Sequence, residues 1–282
     1  MVENRPWLTI LTHVTLIAGL IIVLFPVWIA FVASTYPPET FISGVVPLLP
    51  GSHLIENYRE VLSVGAARNG LPPVLPMLLN SLVMALGIAF GKIVISLLSA
   101  FAIVYFRFPF RMAAFWIIFM TLMLPVEVRI VPTYQVIADL NMLNSYAGLT
   151  IPLIASATAT FLYRQFFLTV PDELVEAARI DGAGPWKFLK DIAIPLSRTS
   201  TAALFVILFI YGWNQYLWPL LVTTDPNYYT VVMGIQRLMQ ALDNEPLWNL
   251  VMAVAILAIL PPVIVVMAMQ KLFVRGLVES EK

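Results

Sequence analysis

The chain has 282 residues, of which 60% are hydrophobic and only 11% charged, and its formal net charge is zero; a soluble domain averages about 25% charged residues. That composition excludes an ordinary water-bathed domain and provides no overall field to draw nucleic acid or an acidic partner. With no cysteine, and with His13 and His53 as the only histidines, disulfides, cysteine-based metal sites and thiol nucleophiles are excluded, and no histidine metal site is expected.

Apolar runs near or above the roughly 18 to 20 residues that cross a bilayer as helix alternate with polar loops. They predict an all-α membrane protein, one transmembrane domain over residues 1–282, with six spans at 8–34, 77–106, 112–124 with an extension, 149–168, 200–222 and 249–270. The first run continues unbroken from Leu8 to Ser34 with no A-x-A-like cleavage site after it, which reads as a retained span and not a removed signal peptide. His13, near its start, reads as a packed or interfacial histidine. The segment from Tyr36 to Pro76 is rich in Pro and Gly and predicts an external loop with a short interfacial helix around Ile55 to Leu62. Pro125 and Pro132 interrupt the third span, as membrane helices tolerate where neighbours satisfy the freed backbone groups.

Lys and Arg placement sets the orientation. Arg5, Arg107, Arg111, Arg164, Arg179, Lys187, Lys190, Arg198, Lys271, Arg275 and Lys282 fall on one side, and only Arg59, Arg68, Arg129 and Arg237 on the other. Both termini are therefore expected in the cytoplasm of a bacterial cell, the chain spanning its inner membrane in several passes and contacting lipid.

Gly87-Ile88-Ala89-Phe90-Gly91-Lys92-Ile93 superficially resembles a phosphate-binding loop. It is one residue short between its glycines, Ile93 cannot hold magnesium, and it lies within a span with no preceding strand. ATP and Mg, if the machine uses them, bind another chain, and this chain needs no cofactor of its own. No Ser, His and acid set and no zinc-ligand pair is present either, so catalytic and metal residues are none and the chain is not expected to be an enzyme by itself.

Polar residues within the spans are candidates for a solute pathway. A charge at the position of Lys92 costs about 2.5 to 3.5 kcal/mol on insertion scales, so it faces protein or water: either it meets an anionic solute, or it pairs with a neighbouring helix or snorkels to the surface. Asn214 and Gln215 lie among Tyr211, Trp213, Tyr216 and Trp218, a setting that suits a polar organic ligand and equally an interfacial aromatic belt with interhelical amide bonds. Glu127 and Arg129 read as a gate, a contact to a partner, or a local ion pair.

The segment 169–199 between the fourth and fifth spans is polar and ordered by capping signals. Thr169 is expected to cap a helix whose first turn holds Pro171, Asp172 and Glu173. Gly182 suits a left-handed stop, and Pro185 opens a second short helix. Small Ala177 and Ala178 lie between Glu176, Arg179 and Asp181. Two readings fit: an ordinary amphipathic hairpin, or a docking element that another protein approaches closely.

Glu176-Ala177-Ala178, then three residues, Gly182, nine residues, and Ile192-Ala193-Ile194-Pro195 resembles the EAA loop of permeases of binding-protein-dependent ABC importers, with Ile194 standing where Leu is usual. Asn80-Ser81, Tyr105-Phe106-Arg107-Phe108 and Gln270-Lys271-Leu272-Phe273-Val274-Arg275-Gly276 resemble the maltose-permease G-type subgroup. Over nearly its whole length the chain is similar to the E-type permeases of bacterial sn-glycerol-3-phosphate importers, notably at Leu122 to Ile130, Ser145 to Thr150 and Tyr211 to Pro219.

The resemblance implies the type I ABC importer permease fold. It also implies a second homologous permease subunit, two ATPase subunits that hold ATP and Mg, and a periplasmic or extracellular solute-binding protein. It assigns Glu176, Ala177, Ala178, Asp181, Gly182 and Pro195 to ATPase coupling, and the tail from Lys271 to the ATPase subunits. Lys92, Asn80, Asn214 and Gln215 are the candidates for the solute pathway. The implied solute is sn-glycerol 3-phosphate or related glycerophosphodiesters; the alternatives are a sugar or oligosaccharide permease and an ion-coupled secondary transporter. The last would usually show internal repeats, and none is seen here.

Overall fold

The computed structural model of the protein describes residues 6–64, 72–121, 126–239 and 247–279. Among the described residues there is no β-strand. The helices are α1 (Pro6–Ala33), α2 (Leu54–Arg59), α3 (Val74–Tyr105), α4 (Arg111–Met120), α5 (Val126–Asp139), α6 (Tyr146–Thr150), α7 (Ala157–Leu168), α8 (Asp172–Ile180), α9 (Pro185–Phe188), α10 (Ile194–Leu196), α11 (Arg198–Trp213), α12 (Leu217–Val222), α13 (Val231–Met239) and α14 (Trp248–Glu279).

Three helices are long and apolar enough to cross a membrane alone: Trp7–Ala33, Val74–Tyr105 and Trp248–Gln270. Two bent pairs qualify when taken together. Tyr146–Leu153 turns by 49° into Ala157–Leu168, and Pro185–Leu196 by 73° into Arg198–Trp213. The expected third span coincides with α4, which is only 10 residues long; residues 122–125, including Pro125, lie outside the described residues. The expected continuous span over 200–222 is broken at Asn214–Tyr216, where α11 ends and α12 begins.

The chain divides into two compact units, Met1–Pro76 with Gly234–Leu260, and Met77–Met233 with Pro261–Lys282. In the first, every residue from Trp7 to Trp28 is exposed. An apolar surface of that extent is stable in lipid, not in water. Its few polar groups are satisfied within the helix: Thr12 and Thr15 donate to the carbonyls of Leu8 and Leu11, both at 2.9 Å, and His13 Nδ1 lies 2.7 Å from the Thr9 carbonyl. His13 is thus an exposed histidine satisfied by its own helix. Beyond α1, Asn57 of α2 donates to the carbonyls of Ser34 (2.8 Å) and Tyr36 (2.9 Å) and accepts from Asn249 of α14 (3.0 Å). The expected interfacial helix is α2, continued by a π turn over Glu60–Val64.

In the second unit α3 is the central element. A Cβ at Gly87 would stand 2.9 Å from Thr150, and one at Gly91 2.5 Å from Ile154. The glycines that mimic a phosphate loop therefore form a close-packing seam, the small-xxx-small pattern of membrane helices. On another side of α3, Gly212 of α11 abuts the Ala85 backbone. Met84, Ile88, Ile137, Leu149, Trp218 and Val222 form the core beside this seam, and Trp218 donates to the Gly148 carbonyl at 3.1 Å.

Candidate coupling hairpin and solute cavity

The 169–199 segment folds as two short arms around a glycine corner. The first arm begins after Pro171, with Asp172 and Glu173 in its first turn, where the helix dipole favours acids. Thr169 does not cap it. Its hydroxyl instead donates to Phe166 at 2.7 Å and closes α7, because proline disfavours helical geometry in the residue before it and the new helix starts only beyond Pro171. The arm ends in a double hydrogen-bonded Schellman stop: Gly182 N–H to Arg179 O at 3.0 Å and Ala183 N–H to Ala178 O at 2.9 Å. Gly182 has φ +70°, and a Cβ there would meet nothing within 4 Å, so its requirement is conformational and not one of space.

The two faces of α8 differ. Glu173, Glu176, Ala177 and Ile180 are all exposed, and their spacing places them on one helical stripe. Ala178, at 5% exposure, faces the chain itself. It lines a cavity of about 340 Å³ with Phe101, Tyr105, Arg107, Arg179 and Phe188. Phe188 anchors the second arm: its ring centroid lies 6.1 Å from Phe101 and 5.1 Å from Tyr105, and Tyr105 lies 5.7 Å from Phe167 of α7. This aromatic joint ties the hairpin to the end of α3. Pro195 sits half-buried in α10, just before the 73° turn into α11.

Of the coupling candidates, Glu176, Ala177 and Asp181 are outward, while Ala178, Gly182 and Pro195 shape and seat the hairpin. Two outward residues escaped the sequence reading: Ile180, 86% exposed, and Trp186, 71% exposed. A helical wheel would have found Ile180, three residues beyond Ala177 on the outward stripe.

The second feature is a cavity of about 670 Å³ lined by Lys92, Arg129, Ser156, Thr158, Thr160 and Tyr211, among others. It opens where the fourth span breaks between Leu153 and Ala157. Ser156 caps the new helix by accepting from Ala159 N–H at 3.3 Å, and Ser96 of α3 donates to the Ser156 carbonyl at 3.1 Å. The first turn of α7 thus faces the cavity, and leading N–H groups of a helix have no carbonyl partner within it. Lys92 is 7% exposed, with its ammonium 3.8 Å from the centre of the Tyr211 ring, a cation–π contact. Two side-chain cations and a helix N-terminus therefore converge on one space.

The other pathway candidates lie elsewhere. Asn80 is buried, donating to the carbonyls of Asn227 (2.8 Å) and Tyr229 (3.0 Å) while Tyr146 donates to it (2.7 Å); both its amide hydrogens are committed to backbone. Asn214 is exposed at the end of α11, and Gln215 donates to Tyr211 O at 3.1 Å. None of these three lines the cavity. Arg129 does; the Glu127 side chain lies outside the described residues. Among the described residues no cluster of His, Asp and Glu could hold a metal ion.

Residues 92–279 match the family described as binding-protein-dependent transport system inner membrane component. The chain is 60% identical over 282 residues, covering all of both sequences, to the sn-glycerol-3-phosphate transport system permease protein UgpE of Agrobacterium fabrum. Its fold is similar to a chain of a bacterial ABC transporter involved in import of the acidic polysaccharide alginate (TM-score 0.78, 20% identity, 96% of this chain and 98% of that one). It is also similar to a chain of a bacterial alginate ABC transporter in complex with a pentasaccharide-bound periplasmic protein (TM-score 0.59, 14% identity, 94% and 93%). The all-helical architecture, the EAA hairpin and these likenesses agree, and the chain belongs to the family of inner-membrane permease components of binding-protein-dependent transport systems.

Proposed function

We propose that this chain is one permease subunit of an ATP-driven importer of sn-glycerol 3-phosphate. It works with a second homologous permease, two ATPase subunits and a periplasmic solute-binding protein, and both termini are cytoplasmic. The observation that carries the choice of solute is the cavity at the break of the fourth span. A phosphate monoester carries about −1.5 to −2 charge at neutral pH, and helix N-termini inside membranes serve anionic groups of transported solutes. Lys92 and Arg129 complement that charge, the first turn of α7 adds N–H donors, and Tyr211 and Thr158 offer hydroxyls to a glycerol moiety. The full-length relatives named for the same solute support the reading.

ATP binding closes the ATPase subunits, which displaces the hairpins seated on them. In this chain the displacement reaches α3 through Phe188, Phe101 and Tyr105, and α3 carries Lys92. Since α3 rises about 1.5 Å per residue, Lys92 stands on the order of 15 Å from the aromatic joint on one continuous helix. A tilt imposed at the joint therefore reaches the solute cavity without passing through a loop.

The test is uptake of labelled sn-glycerol 3-phosphate into proteoliposomes holding the four-subunit complex and its binding protein, with maltose as a competitor. Uptake that needs ATP and binding protein and is indifferent to maltose is the expected result. Import of maltose in its place would overturn the assignment of solute.

A further inference from the structure

We propose that Arg164 forms a second anion site, directly cytoplasmic of the Lys92–Arg129 cavity, that receives the phosphoryl group as the solute leaves. The inference rests on the proposed phosphorylated solute. Arg164 lies on α7 four residues beyond Thr160, a cavity-lining residue, so it shares that face about 6 Å further along the helix axis. Across from it, Phe115 of α4 lies three residues before Ile118, another cavity-lining residue. The guanidinium of Arg164 sits over the Phe115 ring, 4.3 Å from its centroid. On another contact between the same two helices, Phe119 meets Phe161 at 5.6 Å. Arg164 and Phe115 thus form the next layer below the floor of the cavity.

A purely structural arginine at this depth would be held by a carboxylate or by carbonyls, since buried charged groups are normally hydrogen-bonded. Here Nε of Arg164 is buried with no hydrogen-bond partner among the described residues, and the guanidinium rests on an aromatic face. Guanidinium suits phosphate because its planar fork donates to two oxygens at once.

Transport also supplies a reason for a second site. A dianion held by Lys92, Arg129 and a helix N-terminus leaves slowly unless another site takes it, and conduction pathways solve this with successive sites of moderate strength. Ser156, whose carbonyl accepts from Ser96 one turn from Lys92, is eight residues above Arg164, so the two anion sites are separated by roughly 12 Å along the spans. Thr158 and Thr160 lie between them. A solute leaving the first site would pass these hydroxyls before its phosphate meets Arg164.

The experiment uses the complete complex in proteoliposomes with its binding protein, comparing Arg164→Gln and Arg164→Lys. Arg164→Gln is expected to lower maximal uptake of sn-glycerol 3-phosphate about 10-fold while the half-saturating concentration stays within about two-fold and solute-stimulated ATP hydrolysis persists, the split expected when an exit step fails. Arg164→Lys should recover at least roughly a third of the rate, because charge remains while the fork is lost. Wild-type uptake by Arg164→Gln would overturn the proposal. So would equal loss of subunit retention and stimulated hydrolysis in both variants, which marks a structural arginine. If the solute assignment itself is wrong, the wild-type complex fails to take up sn-glycerol 3-phosphate, a separate result.

Discussion

The hairpin over 169–199 and the cavity around Lys92 are built on opposite plans. The hairpin is local: its caps, its glycine corner and its outward stripe come from contiguous sequence, and its hydrogen bonds join residues five or fewer apart. The cavity is assembled from α3, α5, the break before α7, and α11, whose contributions Lys92, Arg129, Ser156 and Tyr211 are far apart in the chain. The hairpin presents charge and two large apolar side chains outward. The cavity holds charge inward, where desolvation makes it costly unless a counter-ion arrives. Damage to the first should therefore alter coupling for any solute, and damage to the second should alter which solute moves.

Phe188→Ala is the strongest way to sharpen that contrast. It removes the ring that joins the hairpin to Phe101 and Tyr105, and such truncations cost about 3 to 5 kcal/mol in packed cores. The expected outcome is a membrane-inserted permease that loses solute-stimulated hydrolysis. A pull-down of the ATPase subunits with parallel ATPase assays in lipid measures it, and full stimulation would show that the aromatic joint transmits nothing.

Gly182→Val comes next. A β-carbon in the left-handed region costs roughly 1 to 2 kcal/mol, and branching adds to it, whereas Asn tolerates that conformation. Because no atom crowds the position, Gly182→Asn should couple nearly normally while Gly182→Val does not. Equal loss in both would mean that space and not backbone geometry governs the corner.

Lys92→Met tests the cavity side of the comparison. Uptake of sn-glycerol 3-phosphate should fall about 10-fold, or about 1.4 kcal/mol of lost stabilisation, with assembly and basal hydrolysis unchanged. Undiminished uptake by a well-expressed variant refutes a role for this ammonium.

The smallest effect on the permease itself is expected for Trp186→Ala. An exposed side chain contributes within about 0.5 kcal/mol to folding, but exposed tryptophans are frequent anchors of docking surfaces. The variant should fold as the wild type does and retain less ATPase after purification; unchanged retention removes Trp186 from the interface. Deletion after Gly276 probes the tail in the same assay, where reduced stimulation is expected.

The sequence by itself determined the membrane class, the broad run of helices and the hairpin. Each of these depends on local rules: apolar length against bilayer thickness, and Pro, Gly and acidic residues at helix ends. It also marked Lys92 as exceptional, since a lysine within an apolar run is costly wherever it lies. Only the tertiary structure decided which polar groups share a space. Asn80 has the chemistry of a solute ligand but is committed to the carbonyls of Asn227 and Tyr229, about 150 residues away, and Gln215 turns back onto its own helix. Arg129, read as part of a gate, a contact to a partner or a local ion pair, lines the cavity with Lys92. Ala178 and Ala177 are adjacent and chemically identical, yet one faces the aromatic joint and the other faces outward, because consecutive helical residues lie about 100° apart and only the packing of α8 on the end of α3 says which face is inside.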